Sequence, residues 1–249
     1  MTGDKQYYFR SVLLVLIALI IGVTIADDVK KTFRSPLLRF GDSRAIDRYI
    51  STHPVRKLQL GAGSNNARGW LNSDIEPIDN QVYIDATARF PLPDGSFQYI
   101  FNEHLIEHLP WELGLVMLRE SYRVLAKGGK IRIVTPNLAK FVQLLDGNHD
   151  SDAQRFIVTK FRQGGVAVNA VPGTYILNRQ MREWGHQFLY DPTSLRKSLE
   201  LIGFKQITQY ELTQETDPVF QEVELRTHHV SPDIKLINNW ESMAFEAVR

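Results

Sequence analysis

Residues 57–74, KLQLGAGSNNARGWLNSD, constrain this chain more than any other stretch. A short apolar strand with Leu58 and Leu60 runs into Gly61-Ala62-Gly63 and a polar turn, and a second strand ends on Asp74. Glycine has no Cβ, so the backbone at 61 and 63 can turn sharply and lie close to a ligand. An acid at the tip of the next parallel strand stands where a ribose diol would lie and can accept from both hydroxyls. Together these features point to a cofactor that contains a nucleoside.

A nicotinamide or flavin dinucleotide needs a third glycine in G-x-G-x-x-G, where helix and strand pack closely beneath the pyrophosphate. Asn66 occupies that position, and Asp74 follows Gly61 by 13 residues, short of the dinucleotide spacing of about 20. No lysine follows the glycines as it would in a phosphate loop. A Rossmann-type oxidoreductase is therefore disfavoured. A cofactor with a ribose and no pyrophosphate fits better, and S-adenosylmethionine is one.

Three further segments follow in order: YIDATARFPLPDGSFQYIFNEHLIEHL (83–109), RESYRVLAKGGKIRIVTPNL (119–138) and HQFLYDPTSLRKSLELIGF (186–204). This succession resembles the class I S-adenosylmethionine-dependent methyltransferases. The likeness is to the branch in which an LGxG…GWxNxD opening precedes an EHL motif, and it covers residues 56–249. It implies a Rossmann-like α/β fold whose mainly parallel seven-stranded sheet is flanked by helices, and methyl transfer from S-adenosylmethionine. It also implies a cofactor site of Gly61, Ala62, Gly63, Asp74, Ile75, Asp85, Ala86, Asn102 and Glu103. In the family an acid at the place of Asp85 meets the adenine amino group, and residues at the place of Asn102-Glu103-His104 lie beside the methionine part and the acceptor. Many members carry an acid two residues before the first glycine; this chain has Gln59, and its branch often has an amide there.

Methyl transfer to oxygen or nitrogen is an in-line displacement at a sulfonium methyl, and the acceptor often must lose a proton. A histidine near neutral pKa is the natural base. The candidates are His104, His108 and His186, the last in WGHQFLYD with Trp184, Phe188 and Tyr190 around it. A methyltransferase-fold protein that binds cofactor or partner without catalysis is the second reading, permitted by Gln59 and by the want of a compelling base.

His104-Leu105-Ile106-Glu107-His108 also has the H-x-x-E-H spacing of a zinc peptidase, two imidazoles one helical turn apart with a carboxylate base. Pro110 shortens any helix carrying the pair, no third ligand stands out, and the same letters recur in the resembled family. The expectation is that the protein holds no metal. The chain has no cysteine, which removes disulfides, thiolate metal sites and thiol nucleophiles. Charged residues make up 23% and nearly balance, leaving a formal charge of +1, so no basic face for nucleic acid is expected.

Ser11 to Ala26, SVLLVLIALIIGVTIA, is 16 residues without a charge, slightly short of the ~17–25 of a spanning helix. Leu, Ile and Val cover every face, which a buried soluble helix does not need. Tyr7, Tyr8 and Phe9 stand where an interfacial aromatic belt would lie. Lys5 and Arg10 precede the segment, whereas Lys30, Lys31, Arg34, Arg39 and Arg44 follow, which places the carboxyl side in the cytoplasm. The rival reading is a signal peptide cleaved after Thr24-Ile25-Ala26. The preferred division is a membrane anchor and juxtamembrane segment over 1–34, a linker and leading helix over 35–55, and a catalytic domain over 56–249. The product is a single-pass membrane protein with a cytoplasmic domain. Its acceptor would be a small molecule, a glycan or a lipid-linked glycan, the family-based expectation.

Alternating patterns predict strands at 57–60, 71–75, 82–85, 98–102, 130–135, 205–211 and 242–248. Helices are predicted at 111–126, with Leu115, Leu118, Tyr122 and Leu125 on one stripe ended by Gly128-Gly129, at 137–146, and from Asp191-Pro192-Thr193 to Gly203. Residues 147–190 break this rhythm with Gly164-Gly165, Pro172-Gly173 and scattered basic residues. They read as an insertion or lid over the mouth of the site.

Overall fold

The computed structural model describes residues 42–146, 172–212, 217–224 and 232–249, with isolated helical positions at 152, 154, 155 and 157. The expected anchor at 11–26 and the Gly164-Gly165 pair lie outside the described residues. Among the described residues no helix is long and apolar enough to cross a membrane. By packing, the chain divides into Met1–Ala45 and Ile46–Arg249, and every strand belongs to the second unit.

Seven strands form one sheet: β1 (Lys57–Leu60), β2 (Leu71–Asp74), β3 (Val82–Tyr83), β4 (Phe97–Glu103), β5 (Leu125–Pro136), β6 (Lys205–Tyr210) and β7 (Ser242–Val248). Their order is β3-β2-β1-β4-β5-β7-β6. β1 to β5 run parallel, and β7 inserts antiparallel between β5 and β6. This is the mainly parallel, seven-stranded class I methyltransferase arrangement that the sequence resemblance implied. Because β1, β2, β3 and β4 are parallel, the turns after each of them emerge at one edge of the sheet.

The helices are α1 (residues 42–52), α2 (Trp111–Val124), α3 (Leu138–Gln143), α4 (Pro172–Arg182), α5 (Pro192–Ile202), α6 (Pro218–Gln221) and α7 (Pro232–Glu241). α5 shows how sequence sets a boundary. Asp191 accepts from the Ser194 amide at 2.6 Å while Ser194 Oγ accepts from the Asp191 amide at 2.9 Å, a capping box with Pro192 in the first turn. The helix stops at Gly203, whose φ of 111° L-residues avoid. α2 buries Leu115 and Leu118 as its stripe predicts, but it ends at Val124. Leu125, expected on that helix, is extended instead, because it pairs with Phe97 and opens β5. Gly128-Gly129 therefore bends a strand rather than stopping a helix.

The main core joins Leu58, Leu60, Ile100, Ile131, Ile133 and Phe245 to the inner faces of α2 and α5. Each fully buried Leu, Ile or Phe side chain there is worth about 1.5–3 kcal/mol. The opposite face of the sheet packs Phe101, Val134 and Ala244 against Trp70 and Phe220. Arg132 is buried on that face, held by Glu224 at 2.6 Å and Glu246 at 2.9 Å. A small separate core of Phe141, Leu144, Ile157 and Ile176 seats α4 against α3. Of the expected lid, α4 packs on this core, residues 183–187 are largely exposed, Leu189 and Tyr190 are buried, and most of 147–171 lies outside the described residues.

Candidate functional site

Gly61 and Gly63 leave β1 with φ of +64° and +52°. A Cβ on Gly61 would lie 3.0–3.2 Å from the Leu105 side chain, so the loop after β4 closes directly on the glycine turn. Asp74 closes it from the other side: Oδ2 accepts from the Gly63 amide at 2.9 Å and Oδ1 from the Glu76 amide at 2.9 Å. Ala62 donates to the Ser73 carbonyl at 2.9 Å. Gln81, which the sequence did not single out, donates to the Gly63 carbonyl at 2.7 Å and accepts from the Ile78 amide at 3.1 Å. Its position, between β2 and the two-residue β3, carries no recognisable signal in the sequence.

Next along the same edge, Asp85 Oδ1 accepts from the Thr87 amide at 2.8 Å and hydroxyl at 2.6 Å, leaving Oδ2 for another donor. Ile75 is exposed beside Asp74, and Ala86 packs on the core. Asn102 and Glu103 end β4. Asn102 is fully buried, and neither its Oδ1 nor its Nδ2 finds a hydrogen-bond partner among the described residues. An unmet buried amide costs about 1–3 kcal/mol, so such a group at a ligand-facing strand end calls for a polar partner. Gln59 Oε1 is likewise unpaired, but Gln59 registers with Phe101 while Leu60 registers with Asn102, which turns the two amides to opposite faces of the sheet. All nine cofactor-site residues named from the sequence thus gather at one edge. Two carboxylates with spare lone pairs, an unpaired amide and a close-approach glycine turn match the donors and acceptors of a nucleoside joined to an amino acid.

The loop after β4 carries different chemistry. His104 sits in the left-handed region at φ +51°. Its Nδ1 meets Glu107 Oε1 at 2.9 Å and its Nε2 meets Ser242 Oγ at 3.1 Å, so both ring nitrogens are engaged. Glu107 is fully buried, and its Oε2 accepts from the Thr135 hydroxyl at 3.0 Å. Burial pushes its carboxyl upward, but the hydrogen bond and charge of His104, with smaller help from its own backbone and His108, leave it below the usual carboxylate range. Tyr190 lies fully buried, and its hydroxyl finds no partner among the described residues. Burial, then the charges of Glu107 and Glu112, push that phenol well above its ordinary value.

His108 closes a 3-10 turn at Ile106–His108. The segment 185–188 is tied over it, because the amides of Gln187 and Phe188 both donate to the Glu107 carbonyl, at 2.8 and 3.1 Å. Gly185, at φ +76°, lets the strap pass close: a Cβ there would lie 3.7 Å from His108 Nδ1. The result sets the His186 ring 5.0 Å from the His108 ring, edge to face. His186 Nδ1 lies 2.6 Å from the Gln180 carbonyl. Ligand-type atoms of Glu107, His108 and His186 all fall within 4.8 Å of one another. The aromatic cluster expected around His186 divides: Phe188 and Tyr190 meet edge to face in the core at 4.7 Å, whereas Trp184 is 58% exposed beside His186. Thr135 and Ser242 were not legible as neighbours of this loop, since each comes from an element far away in sequence.

The sequence over residues 58–133 matches the protein family described as Methyltransferase domain. With the strand order, this match shows a class I methyltransferase fold whose methyltransferase-domain sequence spans residues 58–133, and S-adenosylmethionine is the cofactor such a domain uses. No curated protein matches the chain. Among solved structures, it is similar to an S-adenosylmethionine-dependent methyltransferase from Archaeoglobus fulgidus, at 18% identity over 89% of this chain and 98% of that one, with a TM-score of 0.44. It is also similar to Haemonchus contortus phosphoethanolamine N-methyltransferase 2, at 17% identity over 82% of this chain, with a TM-score of 0.41; the chain covers 51% of that protein.

Proposed function

We propose that the protein transfers a methyl group from S-adenosylmethionine to an oxygen or nitrogen of a small-molecule, glycan or lipid-linked acceptor. The observation that carries this reading is the gathering of Gly61–Gly63, Asp74, Asp85 and the unpaired Asn102 at one sheet edge. In it, the Gly61-Ala62-Gly63 turn and Asn102 and Glu103 hold the methionine part, Asp74 accepts from the ribose diol, and Asp85 with Ile75 and Ala86 borders the adenine. When bound, the cofactor supplies an electrophilic methyl on a sulfonium. The protein's part is to align an acceptor lone pair with the C–S bond and to exclude water. His104 spends both ring nitrogens on Glu107 and Ser242, which favours His108 and His186 as the groups that meet the acceptor. Asp74→Ala should weaken S-adenosylmethionine binding by about 1.5–3 kcal/mol. Calorimetry on the folded variant checks this, and unchanged affinity refutes the cofactor geometry. Release of S-adenosylhomocysteine with a panel of sugar and lipid acceptors tests turnover.

The same proposal anchors the protein through residues 11–26 with its domain in the cytoplasm, supported by five basic residues after the segment against two before it. A carboxyl-terminal reporter active only outside the cytoplasm should stay silent. A strong signal, or a mature chain beginning at Asp27, overturns the anchor.

A further inference from the structure

We propose that Glu107, His108 and His186 form a binding site for a divalent transition-metal ion, one that holds the oxygen atoms of the methyl acceptor. The three side chains bring two imidazoles and one carboxylate within 4.8 Å of one another. That donor set suits borderline ions such as Zn²⁺, Fe²⁺ or Co²⁺ rather than Mg²⁺, which prefers oxygen ligands and water. Bonds of about 2.0–2.2 Å in tetrahedral geometry set ligand atoms roughly 3.3–3.6 Å apart, so binding would draw these side chains together by up to roughly 1.5 Å.

The surroundings are those of a prepared ligand set. The Gln180 carbonyl can only accept, so the 2.6 Å contact puts the proton on His186 Nδ1 and leaves Nε2 with its lone pair. A metal-binding histidine commonly has its other ring N–H fixed by a carbonyl in this way. Glu107 is held by Thr135 at one oxygen and by His104 at the other, which orients the carboxylate while each oxygen retains a second lone pair. His108 makes no side-chain hydrogen bond among the described residues. His108 and His186 both reach solvent, with Glu107 as the buried floor. His104, the first histidine of the H-x-x-E-H run, stands behind Glu107 as its support. The arrangement is thus not a zinc-peptidase pair. The ligand missing from the sequence pattern is His186, delivered by the 185–188 strap.

In five- or six-coordinate geometry three protein ligands leave two or three positions open, enough for two adjacent oxygens of a vicinal diol such as a sugar offers. This role rests on the methyltransferase reading above. Leu105, in the same loop, packs on Gly61, so the loop that bears Glu107 and His108 adjoins the cofactor turn. Coordination acidifies the acceptor hydroxyl, whose proton passes to water. The oxygen then forms the O–CH₃ bond as the C–S bond breaks, with its electron pair staying on sulfur as a neutral thioether.

The test uses the full-length protein stripped of metal with a chelator and titrated with Co²⁺. Expected are visible d–d bands saturating at one equivalent, displaced by Zn²⁺. His108→Asn and His186→Asn should each weaken Co²⁺ binding at least tenfold while keeping the parent melting curve, and His53→Gln should leave it unchanged. Acetohydroxamate, a two-oxygen chelator, should shift the bands if positions are open. S-adenosylmethionine affinity should be the same with and without Co²⁺. Absence of d–d bands, or equal Co²⁺ affinity in folded His108→Asn and His186→Asn proteins, overturns the site. Bands that acetohydroxamate leaves unmoved overturn the acceptor role. Failure of S-adenosylmethionine to bind while Co²⁺ binds normally would instead strike the methyltransferase reading and leave the metal site standing.

Discussion

The cofactor turn and the histidine loop are built in opposite ways. On the cofactor side, the glycine turn, Asp74, Gln81 and Asp85 fall within 25 residues of chain, and their hydrogen bonds run between adjoining turns. On the histidine side, Glu107 is engaged by Thr135, the strap at 187–188 and His104, which itself reaches Ser242. Those partners come from β5, from the segment before α5 and from β7. Local construction makes the first side readable from spacing and robust to distant change. Long-range construction makes the second depend on the whole sheet, and on β7 being inserted between β5 and β6.

Substitutions can break this contrast, and the largest effect is expected in the turn itself. Gly61→Val places a β-branched residue at φ +64° with its Cβ against Leu105. Left-handed strain and overpacking together should cost roughly 2–4 kcal/mol. A thermal melt and calorimetry should show lost stability together with lost S-adenosylmethionine binding. Retained binding would mean that the turn is not the close-approach point.

Gly114→Ala probes the other side. Its Cβ would lie 2.6 Å from the Tyr190 hydroxyl, a rigid and fully buried atom beneath the histidine strap. A loss of about 1–3 kcal/mol is expected by denaturant melt. Tyr190→Phe removes a hydroxyl without a partner among the described residues, so by itself it should be close to neutral, and combined with Gly114→Ala it should recover most of the loss. S-adenosylmethionine affinity should remain within about twofold throughout, because sites without shared partners add independently. Co-variation of the two would dissolve the division between the sides.

The smallest effect lies away from both, and serves as a baseline. Lys130 donates to Asp217 at 2.8 Å. Burial raises the Asp217 carboxyl, but the Lys130 hydrogen bond and the Val219 amide hold it below its ordinary value. A depressed acid stabilises the fold fully above the unfolded value of about 3.9 and loses that contribution as pH falls through the folded value. Lys130→Ala should therefore lower stability at neutral pH and flatten its decline in acid. The exposed lysine limits the difference to at most about 1 kcal/mol. Melts from neutral pH down to pH 2 measure it; an unchanged acid slope would remove the pair as a stabiliser.

The sequence alone determined the α/β class, the glycine turn, Asp74 at the end of β2, and the start of α5 at Asp191-Pro192-Thr193. Each depends on contacts a few residues apart, where φ restrictions and hydrogen-bonding side chains act directly. It misplaced the end of α2, because Leu125 serves a strand partner, Phe97, that local periodicity does not see. It named His104, His108 and His186 without separating them. Tertiary structure alone made that separation: it fixed His104 behind Glu107 and carried His186 across to His108 on two backbone bonds to the Glu107 carbonyl. No spacing in the sequence encodes that meeting. It follows from where parallel strands end and where the chain crosses back over them.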